Sequence, residues 1–185
     1  MLGADRADRL RGSRMIVRMN DQVTEIPPLP PDSPRLALVV SRYNGWITEQ
    51  LAGGAAEAMA RLAPSGSADL YRVPGAFELV PVAATACDSG KYDGVVCLGC
   101  VIRGETRHDE YINMSVAQGI TQLSVRTGVP VSFGLLTVNE ASQAEARAGG
   151  AMGNKGAEAV EAVLATIAAM RSVRADTPSA VGGQA

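Results

Sequence analysis

The chain has 185 residues and a formal net charge of −2; 46% of its residues are hydrophobic and 19% are charged, which is ordinary for a globular protein with one sizeable core. The small net charge, without a long block of like charges, argues against nucleic acid or an anionic membrane as a partner. The three cysteines lie in apolar segments, which argues against a secreted disulfide framework and for a reducing compartment.

The amino-terminal region predicts neither export nor membrane insertion. Residues 1–20 mix Arg and Asp with scattered apolar side chains, and no later stretch is long and apolar enough to cross a bilayer. We therefore expect a soluble, cytoplasmic protein. The prolines of Ile26–Pro34 favour an extended polyproline backbone and cannot donate the hydrogen bonds of a regular strand. We therefore expect residues 1–34 to form a flexible arm with a proline-rich linker.

Apolar runs that alternate with helical patterns predict the main domain, residues 35–171. The runs with strand composition are Leu36–Val40, Leu70–Val73, Val95–Ile102 and Val131–Leu136. Three long helices each show one apolar face, formed by Ile47, Leu51, Ala55, Ala58, Met59 and Leu62 in the first, Ile112, Val116, Ile120 and Leu123 in the middle one, and Val160, Val163, Leu164 and Ile167 in the last. Shorter helices are predicted over Leu79–Asp88 and Glu140–Ala148.

This order predicts an α/β fold. We expect one flavodoxin-like, three-layer domain with a four-stranded parallel sheet and helices on both faces. The small, polar residues of 172–185 predict a disordered tail.

The only histidine, His108, follows the apolar run of the third strand and a short polar turn, Gly104–Thr106. Ligands of open α/β sheets bind outside the carboxyl ends of the strands. The backbone N–H groups of the turn can bind an anion, and the adjacent Asp109 and Glu110 can orient or charge the imidazole. A lone histidine is more often structural than catalytic, but this setting favours a catalytic role.

Two other strands end in residues that suit a planar ligand. Val73–Glu78 combines a Pro-Gly turn with an aromatic residue and an acid. The alternative is a simple helix start, in which Glu78 interacts favourably with the helix dipole and Phe77 lies in the core. After the first strand, the rings of Tyr43 and Trp46 can either stack on a ligand or staple the helix start, and the staple is favoured for Trp46.

A glycine-rich segment with two cations, Arg147–Gly156, suits a close approach to phosphate, although it lacks the order of a P-loop. The alternative is a plain loop between helices. Cys97 and Cys100 lie three residues apart in a strand, so their side chains point to opposite faces, and one histidine cannot complete a zinc site. We therefore expect no metal site.

Taken together, these segments resemble the lumazine synthases, which make 6,7-dimethyl-8-ribityllumazine in riboflavin biosynthesis. The resemblance runs from about Leu36 to Met170. It rests on the order and spacing of Arg42–Asn44, Val73–Glu78, Gly99–Tyr111, Gly128–Gly134, and Arg147–Gly149 with Gly153–Gly156.

The resemblance implies a cofactor-free condensation of 5-amino-6-(D-ribitylamino)uracil with 3,4-dihydroxy-2-butanone 4-phosphate, which releases phosphate and water. His108 is then the catalytic residue, moving protons as the imine forms and phosphate leaves. The implied phosphate-binding residues are Glu105, Thr106 and Arg147. The implied pyrimidine- and ribityl-binding residues are Tyr43, Ala76, Phe77, Glu78, Cys100, Val101, Ile102 and Phe133.

The resemblance also implies a homo-oligomer. In lumazine synthases Phe133 and Arg147 come from the neighbouring subunit, so at least a pentamer is expected. The short Gly149–Lys155 loop resembles that of members that form sixty-subunit shells of twelve pentamers. This chain departs from the family in carrying Tyr43 where Phe or Trp is common, Cys100 where a small residue is usual, and a longer arm in the region that joins the neighbour's sheet.

Two alternatives remain at this point. A non-catalytic flavin or lumazine binder, or a purely structural shell, would not need both His108 and Arg147. An archaeal-type riboflavin synthase shares the core but acts on two lumazine molecules, and the phosphate-binding residues argue against it.

Overall fold

The computed structural model describes residues 33–175. Most of the predicted arm, 1–34, and most of the predicted tail, 172–185, lie outside the described residues. Within the described part of the chain, no helix is long and apolar enough to cross a membrane.

The core of the fold is a parallel sheet of four strands. These are β1 (Arg35–Ser41), β2 (Ser67–Val73), β3 (Gly94–Ile102) and β4 (Val131–Val138), arranged in the order β2-β1-β3-β4. All four predicted strands are confirmed, and β2 begins at Ser67 rather than Leu70. The central strands β1 and β3 are almost entirely buried, because helices cover both faces of the sheet.

The helices are α1 (Gly45–Leu62), α2 (Leu79–Asp88), α3 (His108–Thr127), α4 (Ala141–Arg147) and α5 (Lys155–Ala175). The apolar faces of α1 and α5 pack on one side of the sheet, against Leu36, Leu38 and Val40. Those of α2 and α3 pack on the other side, against Ala37 and Val39. The three-layer α/β prediction is therefore confirmed, and the bounds predicted for the helix over Leu79–Asp88 match those observed.

The segment after α4 is not the plain loop between helices of the alternative interpretation. It forms a small antiparallel hairpin of β5 (Ala148–Gly150) and β6 (Gly153–Asn154). Gly149 and Gly153 have φ values of +119° and +73°, which glycine adopts without strain. These two glycines therefore allow the chain to turn within the hairpin, which leads directly into α5.

Candidate active site

The carboxyl ends of β1, β2 and β3 meet the start of α3 at a cleft of about 720 Å³. Nine of the twelve residues predicted for the site line it: Tyr43, Ala76, Phe77, Glu78, Cys100, Val101, Ile102, Thr106 and His108. Glu105 lies in the exposed turn beside them. The structure therefore brings together three strand ends that lie far apart in the sequence, as expected for an open α/β sheet.

The turn between β1 and α1 presents Tyr43 to the cleft. Asn44 is the only residue other than glycine with a positive φ among residues 33–175, at 55°, and its side-chain Nδ2 donates a hydrogen bond to the Cys100 carbonyl oxygen at 3.0 Å. Asparagine tolerates this conformation better than most residues. Tyr43 is 70% exposed and Trp46 is 48% exposed, so neither ring is buried as a helix staple would be.

The start of α2 carries the second group of residues. Phe77 is 60% exposed, so the alternative that placed it in the core is wrong. Glu78 is half-buried at the N-cap position, but its side chain makes no capping hydrogen bond. Its Oε2 atom lies close over Gly75, where a Cβ would stand 3.0 Å away. The carboxylate thus remains open to hydroxyl donors in the cleft.

The start of α3 lies beside the imidazole and has no side-chain cap. His108 is the exposed first residue of the helix, and the N-cap residue Arg107 makes no side-chain capping bond. The first N–H groups of a helix lack partners within the helix and carry its positive dipole end, so they favour an anion. Arg107 instead pairs with Glu110 Oε2 at 2.6 Å. Among residues 33–175, no side chain hydrogen-bonds to the imidazole.

The two cysteines of β3 point to opposite faces, as predicted. Cys97 packs in the cluster under α2 and α3, whereas Cys100 packs with Ile47 and Leu136 under α1. Burial raises the pKa of the Cys100 thiol to about 11, so the thiol is neutral near pH 7. Cys100 can therefore line the cleft and contribute backbone hydrogen-bonding groups to it, but it does not supply a thiolate.

Phe133 and Arg147 lie elsewhere. They line a second cleft, of about 410 Å³, along the exposed edge of β4 and the start of α5. Arg147 is half-buried, its Nη1 donates to the Gln143 carbonyl oxygen at 3.0 Å, and no carboxylate within residues 33–175 pairs with it. Phe133 is 44% exposed. No residue lines both clefts. One chain thus holds two separate parts of the predicted site.

A family model described as 6,7-dimethyl-8-ribityllumazine synthase matches residues 33–171, most of the chain and nearly all of its described part. The chain belongs to this family. A relative from Desulfatibacillum aliphaticivorans, named 6,7-dimethyl-8-ribityllumazine synthase, is 44% identical over 124 residues, which are 65% of this chain and 78% of the relative. The resemblance inferred from the sequence motifs is thereby confirmed.

The structure adds residues of this lumazine synthase family member to which the sequence analysis assigned no role in the site. Tyr111, Ile112 and Ser115, on the first turns of α3, also line the first cleft. Asn44 joins the turn of Tyr43 to β3. Helical spacing from His108 could have suggested Tyr111, Ile112 and Ser115, because residues three, four and seven apart share a helix face. No local signal marks the bond from Asn44 to a strand 56 residues away.

Proposed function

We propose that the protein condenses 5-amino-6-(D-ribitylamino)uracil with 3,4-dihydroxy-2-butanone 4-phosphate to give 6,7-dimethyl-8-ribityllumazine, phosphate and water in riboflavin biosynthesis. The match of the lumazine synthase model over residues 33–171 carries this conclusion. The two clefts support it, because one offers an aromatic and backbone-lined site beside an imidazole and the other a guanidinium with no carboxylate partner among residues 33–175.

The pyrimidine binds at the end of β3 in this proposal. Hydrogen-bonded pairing of β3 with β1 ends at Leu98, although β3 continues to Ile102, so backbone groups beyond Leu98 have no partner in β1. The Asn44 side chain donates a hydrogen bond to the Cys100 carbonyl oxygen, and the other backbone groups of β3 beyond Leu98 can bind the pyrimidine ring. Tyr43 stacks on the ring, Ala76 and Phe77 flank it, and Glu78 accepts hydrogen bonds from ribityl hydroxyls.

The sugar phosphate binds at the start of α3. Thr106 and the backbone N–H of Glu105 face the phosphate, and the uncapped helix terminus favours its charge. The 5-amino group of the pyrimidine attacks the ketone carbon, and loss of one water forms the imine. Elimination of phosphate leaves an enol that tautomerises to a carbonyl, and the ribitylamino nitrogen attacks this carbonyl with loss of a second water, which closes the ring. His108 then takes up and returns the protons of imine formation and of phosphate departure. Both reactants are intrinsically reactive, so holding them in register supplies much of the acceleration.

A neighbouring subunit completes the site. Phe133 closes the ring pocket and Arg147 binds the phosphate with its planar fork, both from the adjacent copy of the chain, because within one chain they line a different cleft. Such a head-to-tail contact forms a ring when the rotation between neighbouring subunits closes. We propose a pentamer, with twelve pentamers forming a sixty-subunit shell, which light scattering tests directly. The buried free cysteines fit the reducing cytoplasm.

The test mixes the purified oligomer with both substrates and follows lumazine fluorescence and inorganic phosphate together. Equal molar amounts of the two products are expected. A folded oligomer that binds the pyrimidine but forms neither product would support the non-catalytic binder. Incubation with lumazine alone is the control for riboflavin synthase activity, and it is expected to form no riboflavin.

A further inference from the structure

Asn154, which no part of the proposed chemistry uses, links three elements of the fold. Its backbone pairs with Ala148 in the hairpin of β5 and β6. Its side-chain Nδ2 donates to the Gln50 carbonyl oxygen of α1 at 2.9 Å. Its Oδ1 accepts hydrogen bonds from the N–H groups of Gly156, at 2.9 Å, and Ala157, at 3.2 Å. One amide therefore caps α5 and fastens the hairpin to α1.

Two glycines make room for this arrangement. A Cβ at Gly54 would overlap the side-chain amide of Asn154, and a Cβ at Gly156 would overlap the carbonyl oxygen of Leu51. Helix α1 and the start of α5 thus approach each other at backbone distance, with the Asn154 amide held between them. The close packing restricts the Asn154 amide to one orientation. Its hydrogen bonds to α1 and α5 therefore fix the position of the hairpin.

The hairpin in turn follows directly after Arg147. Arg147 ends the short helix α4, and the next residue, Ala148, is the one paired with Asn154. Among residues 33–175, the guanidinium has one hydrogen bond, to the Gln143 carbonyl of its own helix, and this bond does not fix α4 relative to the rest of the molecule. The backbone next to Arg147 is therefore fastened to α1 in two ways, by the burial of Ala148 against Ile47 and Leu51 and by the hydrogen bonds of Asn154.

We propose that Asn154 is a positioning residue for Arg147, holding the guanidinium where it meets the phosphate of the substrate in the neighbouring subunit's cleft. This inference rests on the phosphate-binding role proposed for Arg147. Misplacing a positioned group by about 1 Å lowers the efficiency of a site strongly, even when every group that contacts the substrate is present.

The variant Asn154→Asp tests the link with little change in shape. It keeps the oxygen that caps α5, where a negative charge is favourable, but it sets a second oxygen against the Gln50 carbonyl in place of the donor. We expect the KM for the sugar phosphate to rise about tenfold, as for other residues that orient a ligand-binding group. The KM for the pyrimidine should stay within about twofold, since Tyr43 and Glu78 are untouched.

The control is Arg61→Gln, which breaks the 2.7 Å ion pair between Arg61 of α1 and Glu161 of α5. It loosens the same pair of helices away from the hairpin, so neither KM should change. If Asn154→Asp does not assemble, Gly54→Ala is the second variant. Its added Cβ pushes the Asn154 side chain away from α1 without mutating Asn154, and it should give the same selective rise in KM for the sugar phosphate.

A double-mutant cycle with Arg147→Ala separates this inference from the proposed function. If Asn154 acts through Arg147, Asn154→Asp should have no further effect on the KM for the sugar phosphate once Arg147 is removed. A large effect of Arg147→Ala with no effect of Asn154→Asp, or with additive effects, overturns the positioning role and leaves the proposed function standing. No effect of Arg147→Ala overturns both assignments.

Discussion

Removing the guanidinium of Arg147 should selectively weaken binding of the sugar phosphate. The group is half-buried, has no carboxylate partner within residues 33–175, and has one hydrogen bond to a backbone carbonyl, so most of its donors are free. Two charge-assisted hydrogen bonds to a phosphate contribute about 1.5–3 kcal/mol each. Partial exposure reduces this, and a loss of about 3 kcal/mol for Arg147→Ala corresponds to a roughly hundredfold rise in KM for that substrate.

The assay varies each substrate in turn at saturating levels of the other and follows lumazine formation. Arg147→Lys keeps the charge but loses the planar fork, so about a tenfold rise is expected. Arg126→Ala is the matched control, because Arg126 is an exposed arginine whose partner is Asp88, at 3.4 Å. Equal rises in the KM values of both substrates after Arg147→Ala would refute the phosphate-binding role.

Three further predictions concern the first cleft and the core. His108→Ala should lower kcat about a hundredfold and leave both KM values within about threefold, because proton transfer and not binding is lost; steady-state kinetics with an unchanged kcat would contradict the role of the imidazole. Leu98→Ala should lower the free energy of unfolding by about 3–4 kcal/mol in urea titrations at fixed protein concentration, since the side chain is fully buried in the central strand; a loss below about 1 kcal/mol would mean that the core collapses around it. Cys100 should resist iodoacetamide at pH 7.5 and gain reactivity only as the pH approaches the raised pKa of about 11, as mass spectrometry of the native protein can show; rapid labelling at neutral pH would contradict the buried, neutral thiol.

Much of the fold follows from local sequence. The run Gly94–Ile102 is continuously apolar because helices cover both faces of β3, and the same burial explains the one-sided apolar patterns of α1, α3 and α5. Strand β2 was harder to delimit, since it is an edge strand whose first residues are mostly exposed and small or polar. Its pairing with β1 extends it to Ser67.

The hairpin after α4 could not be predicted from its own residues. Its strands contain three and two residues, too few for an alternating pattern, and glycine has a low strand propensity. The conformation depends instead on contacts with α1, through the amide of Asn154 and the space left by Gly54. Tertiary contacts of this kind cannot be predicted from the sequence of the segment alone.

The site was predictable in its parts but not in their grouping. The motifs around Tyr43, Phe77 and His108 each follow a strand, so the general rule for open α/β sheets brings them to one edge. The separation of Phe133 and Arg147 from that edge depends on the place of β4 at the side of the sheet. Only the resemblance to lumazine synthases implied that a second subunit supplies them.

The central claim is that each site takes His108 from one subunit and Arg147 from the next. The most direct test refolds or coexpresses His108→Ala and Arg147→Ala chains in equal amounts and assays them at a sugar-phosphate concentration well below the wild-type KM, where each variant alone keeps about one hundredth of the wild-type activity. Random assembly into rings should restore about one quarter of the wild-type activity, because about one quarter of the sites then draw both intact residues from different chains. Mixed oligomers with no more activity than either variant alone would contradict the shared site.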